Sequence, residues 1–541
     1  TGPRATHVVV GDVLVEAGPT GLTTAQAVGI AEGRVLAVGD RRTVLDAAAP
    51  GARVTDASGL AVVPGMHDFH LHLVGMARAR RALRLDDVKS FDELVRRVEE
   101  AVRARRGESG AWLTGRGWHE QAMNPSALDR LEAALDGRPA ALTSHDGHSL
   151  WASRAALATA GIGPSSTDPS GGRLERDAAG APNGILREAA MSTIDAVKER
   201  LAGDALRPAL RETLTELAAL GITGVTDAGD ADDRGGRGEL ADLGDSFSTI
   251  AELGAEVDGR LRLTVNMPAA AIDAAASRGL PSGGLLGGTR RVGWAKLYSD
   301  GALGSRTAAL FAPHTCGDGG DAGILRYEPA ELREIVTRAG AAGIAMAVHA
   351  IGDRAVATAL DALEATPAPG VAHRIEHAQL VRPADRARFA AAGIVASLQP
   401  IHAAADRDAV EACWADRQEH AYTWRSLAAA GARLAFGSDA PIESVNPWHG
   451  LFAAVRRHAP GDGRPPWHLS ESVTAGEALT AYTLAPAAAL GRPDEGSLRP
   501  GAVADLAVLD VSLSTLLEAD EPAAGARSQL TLVGGREVPL A

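Results

Sequence analysis

Eight short apolar runs that alternate with helical patterns constrain this chain more than any other feature. They cover residues 66–72, 221–227, 261–266, 292–298, 344–349, 373–378, 394–399 and 434–439. Between them lie segments with apolar residues at helical spacing, such as 91–105, 331–342 and 383–392. Eight strand–helix units point to an α/β fold closed as a (β/α)8 TIM-like barrel. The chain has 541 residues, 45% of them apolar, which is enough for a core of that size. Only 4% are aromatic, so that core rests on Ala, Val, Leu and Ile.

In such barrels the chemistry sits at the C-terminal ends of the strands. The polar residues of the eight runs gather there. His70 and His72 end the first, and alternation along a strand points both the same way, about ~7 Å apart. Lys296 lies in the fourth run, His349 ends the fifth, His377 ends the sixth and Asp439 ends the eighth. Six groups able to bind a metal, directly or after modification, therefore converge on one rim.

Lys296 interrupts the apolar stretch Trp294-Ala295-Lys296-Leu297. A buried ammonium is costly and tends to lose its proton. The neutral amine can add carbon dioxide to give a carbamate, a bridging anion with two oxygen ligands. The alternative is a lysine that snorkels or pairs with Asp300 or Glu376. Asp439 beside a divalent cation can both bind it and take a proton from water, although an Asp before Ala440-Pro441 also suits a helix N-cap. His67 and Asp68 read as supporting partners or turn residues, and His373 as structural.

The flanks differ from the middle. Residues 1–63 form short strands with Gly-rich breaks, matched by strands at 504–510 and 530–538. We expect 1–63 and 491–541 to build one composite β-sandwich. The barrel then occupies 64–490, with an inserted α/β subdomain at 108–200. Residues 232–244 read as a long mobile loop. The net charge of −14 disfavours nucleic-acid or anionic-membrane partners. No apolar run reaches membrane-spanning length and no signal peptide is visible, so a cytoplasmic protein is expected. Two cysteines, Cys316 and Cys413, argue against a disulfide framework and against thiolate metal sites.

The motifs together resemble the amidohydrolase superfamily, in its YtcJ-like branch (amidohydrolase family 3), which includes N-substituted formamide deformylases. They are Pro64 to His72, Gly115-Arg116-Gly117-Trp118, Ser144-His145-Asp146-Gly147-His148, and Lys296 through Gly301 to Ala308. Asp168 to Gly172, His349-Ala350-Ile351-Gly352-Asp353-Arg354-Ala355, Arg374-Ile375-Glu376-His377-Ala378, Phe436-Gly437-Ser438-Asp439-Ala440-Pro441 and Gly496 to Leu506 complete the set. The resemblance implies a metal-dependent hydrolase that cleaves a C–N bond of amide type in a small molecule, such as an N-substituted formamide or N-acyl compound. It implies one or two divalent ions, zinc foremost, held by His70, His72, His349, His377 and Asp439, with Lys296 carboxylated as a bridge and Asp439 as general base. Relatives often form dimers, so a homodimer is implied as well. Candidate substrate contacts are Trp118, His148, Arg306 and Arg354. Packing is the competing role for Trp118, and an ion pair with Asp300 or loop acids for Arg306. Two other readings compete. One is a deaminase or cyclic-amide hydrolase on the same barrel, which Lys296 disfavours. The other is a metal-free binding protein on a retired barrel, which the complete ligand set disfavours.

Overall fold

The structure, a computed structural model, describes residues 3–18, 21–104, 111–169, 171–198, 203–229, 238–317 and 320–540. Its centre is a ring of eight parallel strands. They are β1 (Met66–Leu71), β2 (Ile222–Asp227), β3 (Arg262–Pro268), β4 (Arg290–Tyr298), β5 (Met346–Ala350), β6 (Arg374–His377), β7 (Val395–Leu398) and β8 (Arg433–Phe436). Each pairs with the next in chain order. No ladder joins β8 to β1, so the barrel is nearly rather than fully closed. Just beyond β8, Asp439 N donates to His70 O at 2.7 Å and His72 N donates to Ala440 O at 2.8 Å. The gap is thus bridged at the rim.

All six residues of β1 are buried, as expected for a parallel strand covered on both faces. Along β4 the two faces separate cleanly. Ala295 and Leu297 pack with the helices around the ring, whereas Trp294 clusters with Phe69, Ala345, Ala347, Val395 and Ala435 inside it. Helix Leu484–Ala489 lies against that inner cluster, and Trp294 Nε1 donates to Ala372 O at 2.8 Å. The surrounding helices start where the sequence lacks a free N–H: Pro329–Ala341 and Pro383–Ala391 each open on Pro.

Strands from both ends of the chain share one seven-stranded sheet. Ala48–Pro64 pairs parallel with Ala5–Gly18 on one side and antiparallel with Leu506–Leu509 on the other. The apolar run at 60–63 therefore belongs to this sheet, and only Gly65 separates it from β1. A Cβ at Gly65 would lie 2.0 Å from Thr223 Oγ1, so no side chain fits at that crossing. A third sheet of six strands stands over the rim, in the order Gly172–Arg176, Pro182–Glu188, Ser149–Ala152, Ala140–Ser144, Leu113–Trp118 and Leu83–Arg84. Helix Phe91–Ala104 packs on it through Leu94, Val95 and Val98.

Two expectations need correction or restriction. Both cysteines pair: Cys316 and Cys413 form a disulfide across 97 residues. Their small number carried no information about adjacency, which arises because the loop after β4 meets helix Arg407–Cys413, with Thr315 N donating to Cys413 O at 2.9 Å. Of the loop expected at 232–244, residues 232–237 lie outside the described residues, and Gly238–Leu243 is a short 3₁₀ helix. No described helix is long and apolar enough to cross a membrane.

Candidate metal centre and active site

Ends of β1, β4, β5 and β6, with the loop after β8, open into one cavity of about 900 Å³. His70, His72, Lys296, His349, His377 and Asp439 all line it. Each imidazole is oriented by a bond from its far nitrogen. His70 Nδ1 contacts Glu376 Oε2 at 2.6 Å, His72 Nδ1 contacts Gly229 O at 2.9 Å, and His377 Nδ1 contacts Gln399 Oε1 at 2.7 Å. His349 is held the other way round, by Nε2 on Gly301 O at 3.0 Å. One nitrogen of each ring is thereby left for the cavity, which is how metal-binding histidines are prepared.

Asp439 lies at their centre. Its Oδ1 is 3.4 Å from His70 Nε2 and 3.3 Å from His72 Nε2. Burial works against the carboxylate, but the imidazoles around it hold its pKa well below the usual value. No helix starts there: the next begins at Pro447, so the N-cap role is not realised. Asp439 and His377 both have left-handed backbones, φ 60° and 70°. Such conformations are uncommon outside glycine and cluster at functional sites. For His377 the turn has a clear effect. Alternation from Glu376 would send it outward, and the positive φ brings its ring back to 4.9 Å from that of His70 and 4.6 Å from that of His349.

Lys296 is 2% exposed and its Nζ has no hydrogen-bond partner. It forms an ion pair with neither Asp300 nor Glu376. Asp300 instead accepts backbone N–H groups from Ala309, Ile351 and Gly352. Burial brings the Lys296 pKa down to about 8. Burial likewise keeps His349 and His377 well below the ordinary imidazole value, hence neutral and able to donate a lone pair.

Below the rim a charged chain supports this arrangement. Arg374 Nε lies 2.6 Å from Glu376 Oε1, and its guanidinium stacks 4.1 Å from the Trp294 ring and 4.5 Å from that of Phe69. Asp68 Oδ1 accepts from His70 N and Ser438 N, both at 3.1 Å, and so ties β1 to the segment after β8. His67 turns to Thr226 and His373 to Met346 N, both away from the cavity.

The substrate contacts expected from sequence divide. His148 lines the cavity, with Nδ1 on Glu188 Oε2 at 3.0 Å and its ring 5.2 Å from His349. Trp118 does not reach it. Its ring is fully buried in the core of the rim sheet and Nε1 donates to Leu142 O. Arg306 and Arg354 are exposed and lie outside the cavity lining. Sequence reasoning did not single out Glu188, Arg116, Tyr298 and Arg326 in the walls: Arg116 and Tyr298 stood only as members of longer motifs, and Glu188 and Arg326 belong to none. It also missed His402, whose Nε2 is 3.7 Å from Asp439 Oδ2. Its position three residues beyond the end of run seven was the available signal.

A divalent cation fits this donor set. Lys296 Nζ, His349 Nδ1 and His402 Nε2 are buried polar atoms without hydrogen-bond partners. Two groups, His70–His72–Asp439 and His377–His402–Asp439, each bring three donor atoms within 4.8 Å of one another. Imidazole with carboxylate suits zinc and its first-row neighbours.

Comparison with known proteins agrees. The sequence profile of the amidohydrolase family matches residues 53–539. The chain is 30% identical to the putative amidohydrolase YtcJ of Bacillus subtilis, over 84% of each chain. It is 31% identical to the N-substituted formamide deformylase of Arthrobacter pascens, over 90% of each. Among solved structures, an uncharacterised metal-dependent hydrolase from Pyrococcus horikoshii superposes with a TM-score of 0.72 at 26% identity, covering 93% of this chain and 97% of that one. Profile, relatives and fold agree, and the chain belongs to the amidohydrolase family.

Proposed function

We propose that His70, His72, His349, His377 and Asp439 hold a divalent ion, zinc first among candidates, and that Asp439 is the general base for hydrolysis of an N-acyl or N-substituted formamide substrate. As an amidohydrolase the chain is a metal-dependent hydrolase of C–N bonds other than peptide bonds. The observation that carries the residue assignment is the convergence of these side chains, and of a buried Lys296 Nζ without a hydrogen-bond partner, on one cavity. When bound, the ion supplies a water of lowered pKa and polarises the substrate carbonyl.

The chain's own part follows from position. Asp439 accepts the proton as water oxygen adds to the acyl carbon, and returns it to the amide nitrogen as the C–N bond breaks. The products are a carboxylic acid and an amine. His148 faces the cavity beside His349 and is placed to meet the developing oxyanion. Burial opposes charge on His148, but Glu188 raises its pKa to about 9. Lys296 Nζ, neutral in part, would add to carbon dioxide with loss of a proton, and the carbamate so formed would supply oxygen ligands to the ion. The deformylase relative motivates the formamide class. The rim sheet over the cavity would close it to bulk water.

The test is amine release from a panel of N-formyl and N-acyl amines by wild type and Asp439→Asn. The wild type is expected to turn over at least one member, and the variant to lose ~10³-fold or more in kcat with the fold retained. An Asp439→Asn enzyme of full activity would refute the base assignment.

A further inference from the structure

Besides Lys296 and the histidines, the cavity wall carries Arg78, Arg81, Arg116, Lys198 and Arg326. All but Arg326 are engaged within the chain. Arg78 pairs with Asp245, Arg81 with Glu212 and Lys198 with Asp195, and Arg116 donates to Pro441 O. Arg326 differs. Among the described residues its guanidinium makes no hydrogen bond and pairs with no carboxylate, Glu331 of the same wall included. It meets only a ring: Cζ lies 5.9 Å from the centroid of Tyr298. That is the outer edge of a cation–π contact, and it uses none of the N–H donors.

The side chain is nevertheless held in place. Arg326 N donates to Ser299 O at 2.8 Å, which fixes the residue beside the end of β4. From the other side, the inserted subdomain lays Gly171 along it: a Cβ at Gly171 would lie 3.8 Å from both Cγ and Nε of Arg326. The half-buried guanidinium is thus confined on the cavity wall between a backbone and an aromatic ring. Tyr298 connects this position to the reacting groups. Its ring lies 5.0 Å from that of His349, and Lys296 Nζ lies 4.6 Å from it. Arg326 therefore stands one ring beyond the histidines of the site, in a cavity of about 900 Å³ that has room for more than an amide group.

We infer that Arg326 is a specificity-determining residue that takes a carboxylate of the substrate, so that the preferred substrate is an amide bearing a free carboxylate, such as an N-formyl or N-acyl amino acid. A planar guanidinium with uncommitted donors matches a carboxylate as a fork, and such charge-assisted bonds are roughly twice as strong as neutral ones. Hydrolysis adds water across the C–N bond and releases the acid and the amino acid, and the carboxylate held by Arg326 takes no part in it. The inference rests on the reading above that the cavity hydrolyses amides, and it names the group that chooses among them.

The test compares kcat/KM for N-formylphenylalanine and for N-formylphenethylamine, the same molecule without the carboxylate. It uses the zinc-loaded full chain, Arg326→Gln and Arg326→Lys, with folding checked by circular dichroism. Wild type is expected to favour the acid by about 10–100-fold. Arg326→Gln should bring that ratio near one, chiefly through KM. Arg326→Lys should restore part of it, since the charge returns without the fork. A wild type that treats the two alike, or a ratio that Arg326→Gln leaves in place, would overturn the inference while the hydrolase reading stands. If neither compound is turned over, binding of N-formylphenylalanine by isothermal titration calorimetry decides. Binding to wild type that weakens about 10-fold or more in Arg326→Gln supports the role of Arg326. Equal affinity in both, or no binding to wild type, overturns it.

Discussion

His70 Nδ1 donates to Glu376 Oε2 at 2.6 Å, and both side chains are shut away from solvent. The bond fixes the tautomer in which His70 Nε2 carries the lone pair toward the cavity. Supporting carboxylates of this kind raise ligand basicity, and their loss costs 10–100-fold in affinity or activity. Glu376→Gln is therefore expected to weaken metal retention by roughly 10–100-fold against a competing chelator. Retention equal to wild type would show that Glu376 serves the fold alone.

Arg374 neutralises Glu376 from the other side, between the rings of Phe69 and Trp294. Burial lowers its pKa to about 10, yet it remains charged at neutral pH. Removing one partner of a buried pair strands the other charge, a loss of about 3–5 kcal/mol. Urea unfolding of Arg374→Ala should show a drop of that order. A drop under about 1 kcal/mol would mean that water reaches Glu376.

Gly437 closes the barrel rim. A Cβ there would lie 2.4 Å from His70 N and 2.9 Å from Asp68 Oδ1. The first is backbone and has no rotamer to yield. Gly437→Ala should cost about 1–3 kcal/mol by overpacking, and should cut activity further by pushing Asp439 from His70. Thermal unfolding and amine release measure the two effects separately.

His145 clamps the rim sheet to the barrel. Its Nε2 is 3.2 Å from Glu443 Oε1, and Nδ1 is 3.6 Å from Asp86 Oδ1. Burial alone would lower its pKa, but the carboxylates of Asp86 and Glu443 on either side raise it to about 10. The folded value exceeds the unfolded one, near ~6.5. The stabilisation is then complete below pH ~6.5 and fades as pH rises through about 10. Wild type and His145→Gln should differ most in urea stability near pH 6 and converge above pH 10. A gap that stays constant across this range would exclude the charge-dependent clamp.

How much was legible beforehand varies by residue. The alternation of runs gave the barrel, because burial on both faces leaves continuous apolar strands. Lys296 stood out because a lysine inside such a strand has few inexpensive fates. His377 was placed on the rim from its position, but the turn that aims it depends on a left-handed backbone that its own sequence does not announce. His402 escaped because it belongs to a helix beyond the strand, where periodicity reports nothing about the cavity. Trp118 sits in a motif, yet its role is packing, since a glycine-flanked aromatic looks the same in a core as in a pocket. The Cys316–Cys413 pair depended on which loops meet in space, information that spacing along the chain does not hold.

Metal content tests the central claim most directly. Wild type and a His70→Ala/His72→Ala variant would be reconstituted with zinc, desalted and measured by elemental mass spectrometry, with amine release followed in parallel. The account predicts one to two ions per wild-type chain, fewer in the variant, and turnover that disappears on chelation and returns with zinc. A folded wild type that stays metal-free after reconstitution, or that hydrolyses amides equally well without metal, would contradict it.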